Sequence, residues 1–169
     1  MKTEKLNEIV QLAATLGVIV GLGLLIYEIR ENNAIAYEQS VATTLTNWID
    51  VTIAEMQPEF ADAFSKSMTN AGELTLSEKV ILNAWLTMVI VAYQQEIESS
   101  YLTGSSDDVE ELLLEIAGAV PYLFGNKFSR DWYVENRYWI PGDIVKEIDR
   151  ELASIPLGAD LEYFDRLGN

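Results

Sequence analysis

The sequence predicts an all-α protein, an N-terminal single transmembrane helix continuing into a soluble helical bundle. Three observations carry that expectation. Ile9 to Tyr27 is an uncharged, mostly apolar run of nineteen residues. As a helix rising about 1.5 Å per residue it reaches roughly 28 Å, close to the hydrocarbon thickness of a bilayer. Beyond it, apolar residues recur at spacings of three, four and seven, the period of helices rather than the alternation of strands. Helix start and stop signals at Pro58, Thr75, Gly104, Pro121 and Pro141 then divide the remainder into short segments.

The apolar run has two competing explanations. Lys2 and Lys5 resemble the basic start of a cleaved signal peptide, and Ala34-Ile35-Ala36 fits a small-x-small cleavage site. Glu28, Arg30 and Glu31 intervene, where a signal peptide is short and uncharged. A buried helix of a soluble core is the other alternative, but eighteen or more apolar residues favour a span. Residues 1–31 are therefore expected to be a transmembrane anchor and residues 32–169 an acidic helical-bundle domain.

Within the run, Gly17 and Gly21 form a GxxxG step that Ala13 extends one turn earlier, with Leu24 flanking. Small residues on one face let two helix backbones approach closely in lipid, where no hydrophobic incentive drives association. In water each glycine would cost a helix about 1 kcal/mol against alanine. Ala13, Gly17, Gly21 and Leu24 are thus the expected helix-packing interface, although glycine is also simply common in membrane helices. Gln11 and Thr15 lie on roughly the opposite face, Gln11 near enough to the end to reach head groups.

No glycine or proline interrupts Tyr27 to Gln57, so the helix is expected to run on into water, with Asn32-Asn33 as the place for a bend. Ile35, Ala42, Ile49 and Met56 repeat every seven residues, with Val41, Leu45, Trp48 and Thr52 beside them. This amphipathic face is expected to be the inner face of the domain's own bundle. An intermolecular coiled coil is the alternative, disfavoured by sparse flanking charges.

Pro58 restarts the chain in a short helix with Phe60, Ala63 and Phe64 on one side, ended by Asn70-Ala71-Gly72. Thr75-Leu76-Ser77-Glu78 is a capping box, so the next helix begins at Leu76 and runs to about Tyr101. Its middle, Val80 to Tyr93, is apolar on every face except Asn83 and Thr87, yet too short to span a bilayer. It is expected to be the central buried helix, with Leu82, Trp85 and Val89 in the core and Tyr93, Ile97 and Tyr101 in one stripe.

Gly104-Ser105-Ser106 makes the next turn, and Asp107, Asp108, Glu110 and Glu111 follow. These acids complement a helix N-terminus, and their spacing does not match a twelve-residue calcium loop. Val109, Leu112, Leu113, Ile116 and Val120 then face the core until Pro121 disturbs the helix. Ser129 is expected to cap a short helix ending before Pro141-Gly142, after which Ile144, Val145, Ile148 and Leu152 mark a final one. Five or six helices are expected in all.

The last third mixes basic and aromatic residues: Lys127, Arg130, Arg137, Lys146 and Arg150 among Phe128, Trp132, Tyr133, Tyr138 and Trp139. Arginine with tryptophan or tyrosine is the pairing enriched at binding hot spots. Arg130, Trp132, Tyr133, Arg137 and Trp139 are therefore the candidate partner or ligand contacts. Closure of the bundle's end, rings inward and guanidinium groups paired with Asp131, Glu135 or Asp149, is the favoured reading of the same residues.

Composition excludes more than it assigns. After Glu31 the chain carries eight Lys/Arg against twenty-three Asp/Glu, a net of −15. Phosphate backbones and anionic head groups repel such a surface, so no nucleic-acid partner is expected and the domain should stand off the bilayer. There is no cysteine and no histidine. Disulfides, thiolate chemistry, the usual zinc sites, histidine-ligated haem or copper and the commonest general base are all absent. No cofactor and no catalytic residue is expected. Glu96 and Glu98, two apart on a helix, fall on different faces and have no Glu-x-x-His partner.

Ile29-Arg30-Glu31-Asn32, the stretch from Pro58-Glu59-Phe60 through Leu74-Thr75-Leu76-Ser77-Glu78 to Tyr101-Leu102-Thr103-Gly104, and the segment Trp132 to Pro141 together form a pattern over most of the chain. It resembles a loose family of functionally uncharacterised bacterial single-pass membrane proteins, with an N-terminal apolar helix ending in an Ile-Arg-x-Asn step and a small helical domain. Many relatives have glutamine where this chain has Glu31. The resemblance implies a single-pass helical membrane protein and no particular activity.

The function expected is that of a non-catalytic, membrane-anchored interaction or accessory subunit, docking by its transmembrane helix onto a larger membrane complex or a second copy of itself. A ligand-binding or sensing domain is the alternative, its pocket between the Val80–Tyr101 helix and the Trp132–Trp139 segment. Lys2, Lys5 and the terminal amine precede the span closely, whereas only Arg30 follows within twenty residues. The positive-inside rule then places the amino terminus in the cytoplasm and the domain in the periplasm of a bacterial inner membrane. Arg30 directly at the interface argues the other way.

Overall fold

The computed structural model of the chain describes residues 2–103 and 106–167, the side chains of residues 2–6, 9, 13, 102, 103, 106 and 167 excepted. Among the described residues the fold is all-α, with no strand. Its helices are α1 (Lys2–Glu55), α2 (Pro58–Asn70), α3 (Leu76–Thr103), α4 (Ser106–Phe124), α5 (Lys127–Asn136), α6 (Gly142–Leu152) and α7 (Ala159–Leu167), with a 3-10 turn over Ala71–Glu73. The chain divides by contacts into two compact units, residues 1–39 and 40–169.

The first unit is helical α1 backbone whose large apolar side chains find no cover, Leu16, Val20, Leu24 and Ile26 among them. The helix continues through Asn32 and Asn33 without interruption, so the expected bend does not break it.

In the second unit α3 is the axis. Leu82, Trp85, Leu86, Val89, Ile90, Tyr93 and Ile97 are all buried, so the central apolar helix of the sequence is the core helix of the fold. Its start is built by the capping box. The Thr75 backbone N–H donates to the Glu78 carboxylate at 2.6 Å, and the Glu78 N–H donates to Thr75 Oγ1 at 3.3 Å. Two N–H groups that no helical carbonyl reaches are thereby satisfied. These Thr75 bonds, the backbone one first, hold the Glu78 carboxyl below its ordinary range. Lys66 of α2 bridges to the same carboxylate at 3.1 Å.

Around α3 pack α2, through Phe60, Ala63 and Phe64, and α4, through Ile116, Val120, Leu123 and Phe124. On its other side α4 packs against α6, through Ile144 and Ile148, and against α7. Pro121 does not end α4, which reaches Phe124. A proline there removes the one bond its own N–H would have made to a helix already in its last turn.

Several expectations need correction. Seven α-helices are described rather than five or six, because α7 was not foreseen. Leu113 is only partly buried against the core, and Tyr101 is 58% exposed. The cap of α5 is Asn126, whose side chain accepts from the Ser129 N–H at 2.9 Å, so Ser129 is capped and does not cap. Gly104 and Ser105 of the expected turn lie outside the described residues.

The amphipathic face of α1 also divides differently. Within the second unit, Thr44 and Val51 are buried and Trp48 is half-buried, a set spaced by four and three that points into the bundle. Leu45, Ile49, Ile53 and Met56 are 59, 57, 51 and 75% exposed. The seven-residue repeat therefore does not mark the inner face.

Two glycines are fixed by geometry. A Cβ on Gly125 would lie 2.3 Å from the Asp160 backbone nitrogen and 2.3 Å from the Pro121 carbonyl oxygen, so only glycine lets the α4–α5 turn meet the start of α7. Gly158 holds φ at +95°, which side-chain-bearing residues rarely adopt. Its N–H donates to the Gly125 carbonyl at 2.8 Å and ties the two turns together.

Candidate functional site

The candidate contact residues gather where α5 meets α6 and α3. Asn126 starts α5, and on its next turn Arg130 turns back toward the backbone. Arg130 Nε donates to the Phe124 carbonyl at 2.9 Å, and Nη2 donates to the carbonyls of Ile155 and Pro156 at 2.8 Å. It thus staples the segment after α6 to the end of α4, and among the described residues it forms no ion pair with the expected Asp131, Glu135 or Asp149. Arg137 does form one, with Asp149 of α6 at 2.6 Å.

Tyr133 is 2% exposed and donates its hydroxyl to Asp149 Oδ1 at 2.8 Å. The Arg137 guanidinium carbon stands 5.6 Å from its ring centre, within cation–π range. Burial, and then the bond to Asp149, raises the phenol's pKa well above the ordinary value. Tyr133, Arg137 and Asp149 form one closed polar unit.

Trp132 is 6% exposed and donates its indole N–H to Asn83 Oδ1 of α3 at 2.8 Å. Trp139 packs edge-on against it at 6.1 Å and donates to Asn136 Oδ1 at 3.3 Å. Asn136 in turn donates to the Trp132 carbonyl at 2.8 Å. Asn83, with Thr87 one of two polar breaks in the apolar middle of α3, is the acceptor of Trp132. Beside this lattice runs an open groove of about 320 Å³, lined by Lys79 and Asn83 of α3 and by Phe128, Trp132 and Glu135 of α5. It occupies the interval between α3 and the aromatic segment where a pocket was expected.

A second polar seam joins the 40–55 stretch of α1 to α3 and α4. Trp48 donates its indole N–H to Glu96 at 3.0 Å, and Asn47 donates to Gln95. Glu55 accepts from both Trp85 Nε1 and the Tyr122 hydroxyl, each at 3.1 Å. Burial first, and then Glu55, pushes the Tyr122 phenol far above its ordinary pKa. Sequence reasoning missed Glu55, although a signal existed: Thr44, Trp48, Val51 and Glu55 share one face of α1 at helical spacing.

Glu96 is therefore occupied as the acceptor of Trp48, and Glu98 accepts from Gln94 at 2.9 Å. The pair does not converge on a common site. Glu115 has its carboxyl raised by burial and by the nearby Glu96 and Glu111. Among the described residues, no group of three or more acidic side chains is placed to hold a metal ion.

Of the expected helix-packing residues, Leu24 is 62% exposed. A Cβ on Gly17 or Gly21 would meet nothing within 4 Å. The Ala13 side chain lies outside the described residues. Among the described residues, two helical stretches are long and apolar enough to cross a membrane, Val10–Glu55 and Leu76–Tyr101. No part of the first one's apolar window is buried, against 39% of the second's. No family model matches the chain, nor does any curated protein or solved structure.

Proposed function

We propose that this chain is a non-catalytic, membrane-anchored accessory subunit, held in a bacterial inner membrane by a single N-terminal helix and docking through it onto a membrane protein partner or a second copy. The observation that carries the reading is the uncovered apolar run of α1. A helix apolar all round and bare of protein needs a lipid environment. The second apolar helix has 39% of its window buried inside the bundle against none of the first's, which supports one span rather than two. Glycines that no neighbour in the chain requires, at GxxxG spacing, support a helix–helix contact. The resemblance to uncharacterised bacterial single-pass proteins agrees with this placement.

The test is purification of the full chain from native membranes. The protein should resist alkaline carbonate extraction and elute in a complex larger than one copy. Gly17→Leu with Gly21→Leu should reduce that complex while the helical content of the domain is unchanged, because bulk on that face separates the backbones. Release by carbonate would sink the anchor, and an unchanged complex size would sink the helix contact.

A second reading, a ligand-binding or sensing domain, rests on the groove beside Trp132. Its aromatic floor and charged rims of Lys79 and Glu135 suit a small amphiphilic molecule. Its openness and the internal bonding of Trp132 and Asn83 favour the accessory role.

A further inference from the structure

We propose that the exposed stripe of α1 formed by Ala42, Leu45, Ile49 and Met56 is a contact surface for a second copy of this chain, the two segments pairing in parallel. The inference rests on the anchoring proposed above, because a common membrane orients both copies the same way. Four observations support it.

The stripe is apolar and exposed, while the same helix turns Thr44, Val51 and Trp48 into its own bundle, so no part of the domain covers it. Its spacing is that of a coiled-coil seam: Ala42, Ile49 and Met56 recur every seven residues, with Leu45 and Thr52 on the intervening positions. Within it, Leu45 followed by Ile49 is the one step that matches the leucine and β-branched pairing of two parallel strands.

Charge points the same way. In a chain of net charge −16, the only acids between Ala42 and Met56 are Asp50 and Glu55. Asp50 lies well off the stripe by helical spacing, and Glu55 is engaged by Trp85 and Tyr122. Two copies can meet here without bringing carboxylates together, whereas acids crowd the start of α4. The threonines beside the stripe do not oppose burial either. Thr46 and Thr52 donate their hydroxyls to the Ala42 and Trp48 carbonyls, both at 2.9 Å, so each is satisfied within its own helix.

Size decides what kind of contact this is. Ala42 to Glu55 of α1, with Met56 just past its end, gives a strip about 21 Å long and about 10 Å wide, roughly 200 Å² per copy. A dimer stable from free solution needs about 1,200 Å² or more in total. The stripe falls well short alone, and it functions where the bilayer holds copies at high effective concentration and in one orientation.

Because the chain has no cysteine, single-thiol variants test this directly. The full chain carrying Leu45→Cys, Ile49→Cys, Met56→Cys, Thr43→Cys or Asp50→Cys is placed in phosphatidylethanolamine–phosphatidylglycerol vesicles and treated with a short bismaleimide. All five positions are exposed, so exposure alone predicts equal reaction. The first three should give cross-linked dimer at least fivefold above the last two, and adding Ile49→Glu to Leu45→Cys should reduce its dimer as much with unchanged circular dichroism. Equal cross-linking at all five positions, or none, in chains that float with the vesicles would overturn the pairing and leave the anchor standing; absence of dimer would leave lipid or another protein as the cover. Chains that fail to float overturn the anchor, and the pairing with it.

Discussion

Glu55 shows how one side chain can hold two helices. It stands on α1 and accepts the indole N–H of Trp85 from α3 and the hydroxyl of Tyr122 from α4. Trp85 is 1% exposed, so its N–H has no water to turn to. A buried donor stripped of its acceptor costs about 1–3 kcal/mol. Glu55→Ala should therefore destabilise the domain by about that amount, read from guanidinium unfolding of the full chain in detergent with tryptophan fluorescence as the signal. Glu55→Gln keeps an acceptor oxygen and should cost less than about 1 kcal/mol. Equal losses in both variants would mean that charge, not acceptance, is what the site needs. Each of the four tryptophans donates its indole N–H to a side-chain oxygen: Glu96, Glu55, Asn83 and Asn136. Three of these pairings, those of Trp48, Trp85 and Trp132, link residues at least thirty apart in the chain, and no local pattern announces them.

At the scale of elements, legibility followed the range of the interaction. The capping box of α3 and the buried triad Phe60, Ala63 and Phe64 of α2 are both visible, because four or five consecutive residues decide them. The α1 face was misread because its apolar surface is wider than one contact: the inner set and the outer stripe are neighbouring arcs of one helix, and periodicity alone does not say which arc is covered. The α7 helix went unseen because its docking depends on Gly125, thirty-four residues before it begins by number. The α3–α4 seam carries a pH dependence of its own. Glu115 is raised by burial first and then by Glu96 and Glu111, and burial, then Glu115 and Glu96, raise Tyr93. A carboxyl raised in the folded state destabilises it when ionised. The penalty is absent below the unfolded value near about 4.3, grows as pH rises through the folded value, and is complete at neutral pH. Glu78 has the opposite sign: lowered on folding, its stabilisation is present above the unfolded value and lost as pH falls through the folded one. Because Glu115 stays accessible to solvent, the effect is screened. Glu115→Gln should raise Tm at neutral pH by about 1–3 °C and leave the acid-side Tm unchanged. A lowered neutral Tm would show that Glu115 is stabilising as an anion.

For the whole molecule, the proposed anchoring makes a prediction about orientation. The basic residues before the apolar run favour an amino terminus in the cytoplasm and an acidic domain in the periplasm. Protease added to sealed spheroplasts should then digest the domain; survival until the membrane is opened would reverse the orientation. The fold also has a consequence for how the protein is made. Phe164 of α7 packs edge-on against Phe64 and Tyr122, 6.1 and 5.7 Å between ring centres, and Tyr163 stands 5.6 Å from Tyr122. The ribosome delivers Phe64 and Tyr122 before the helix that shields them, and Gly125 must already have closed its turn before that helix can seat. A nascent chain stalled or clipped in the interval carries bare aromatic rings, the kind of surface that chaperones and quality-control proteases engage. Seating of α7 withdraws that surface, so the helix shares with Phe60 and Trp85 the covering of rings laid down earlier in the chain.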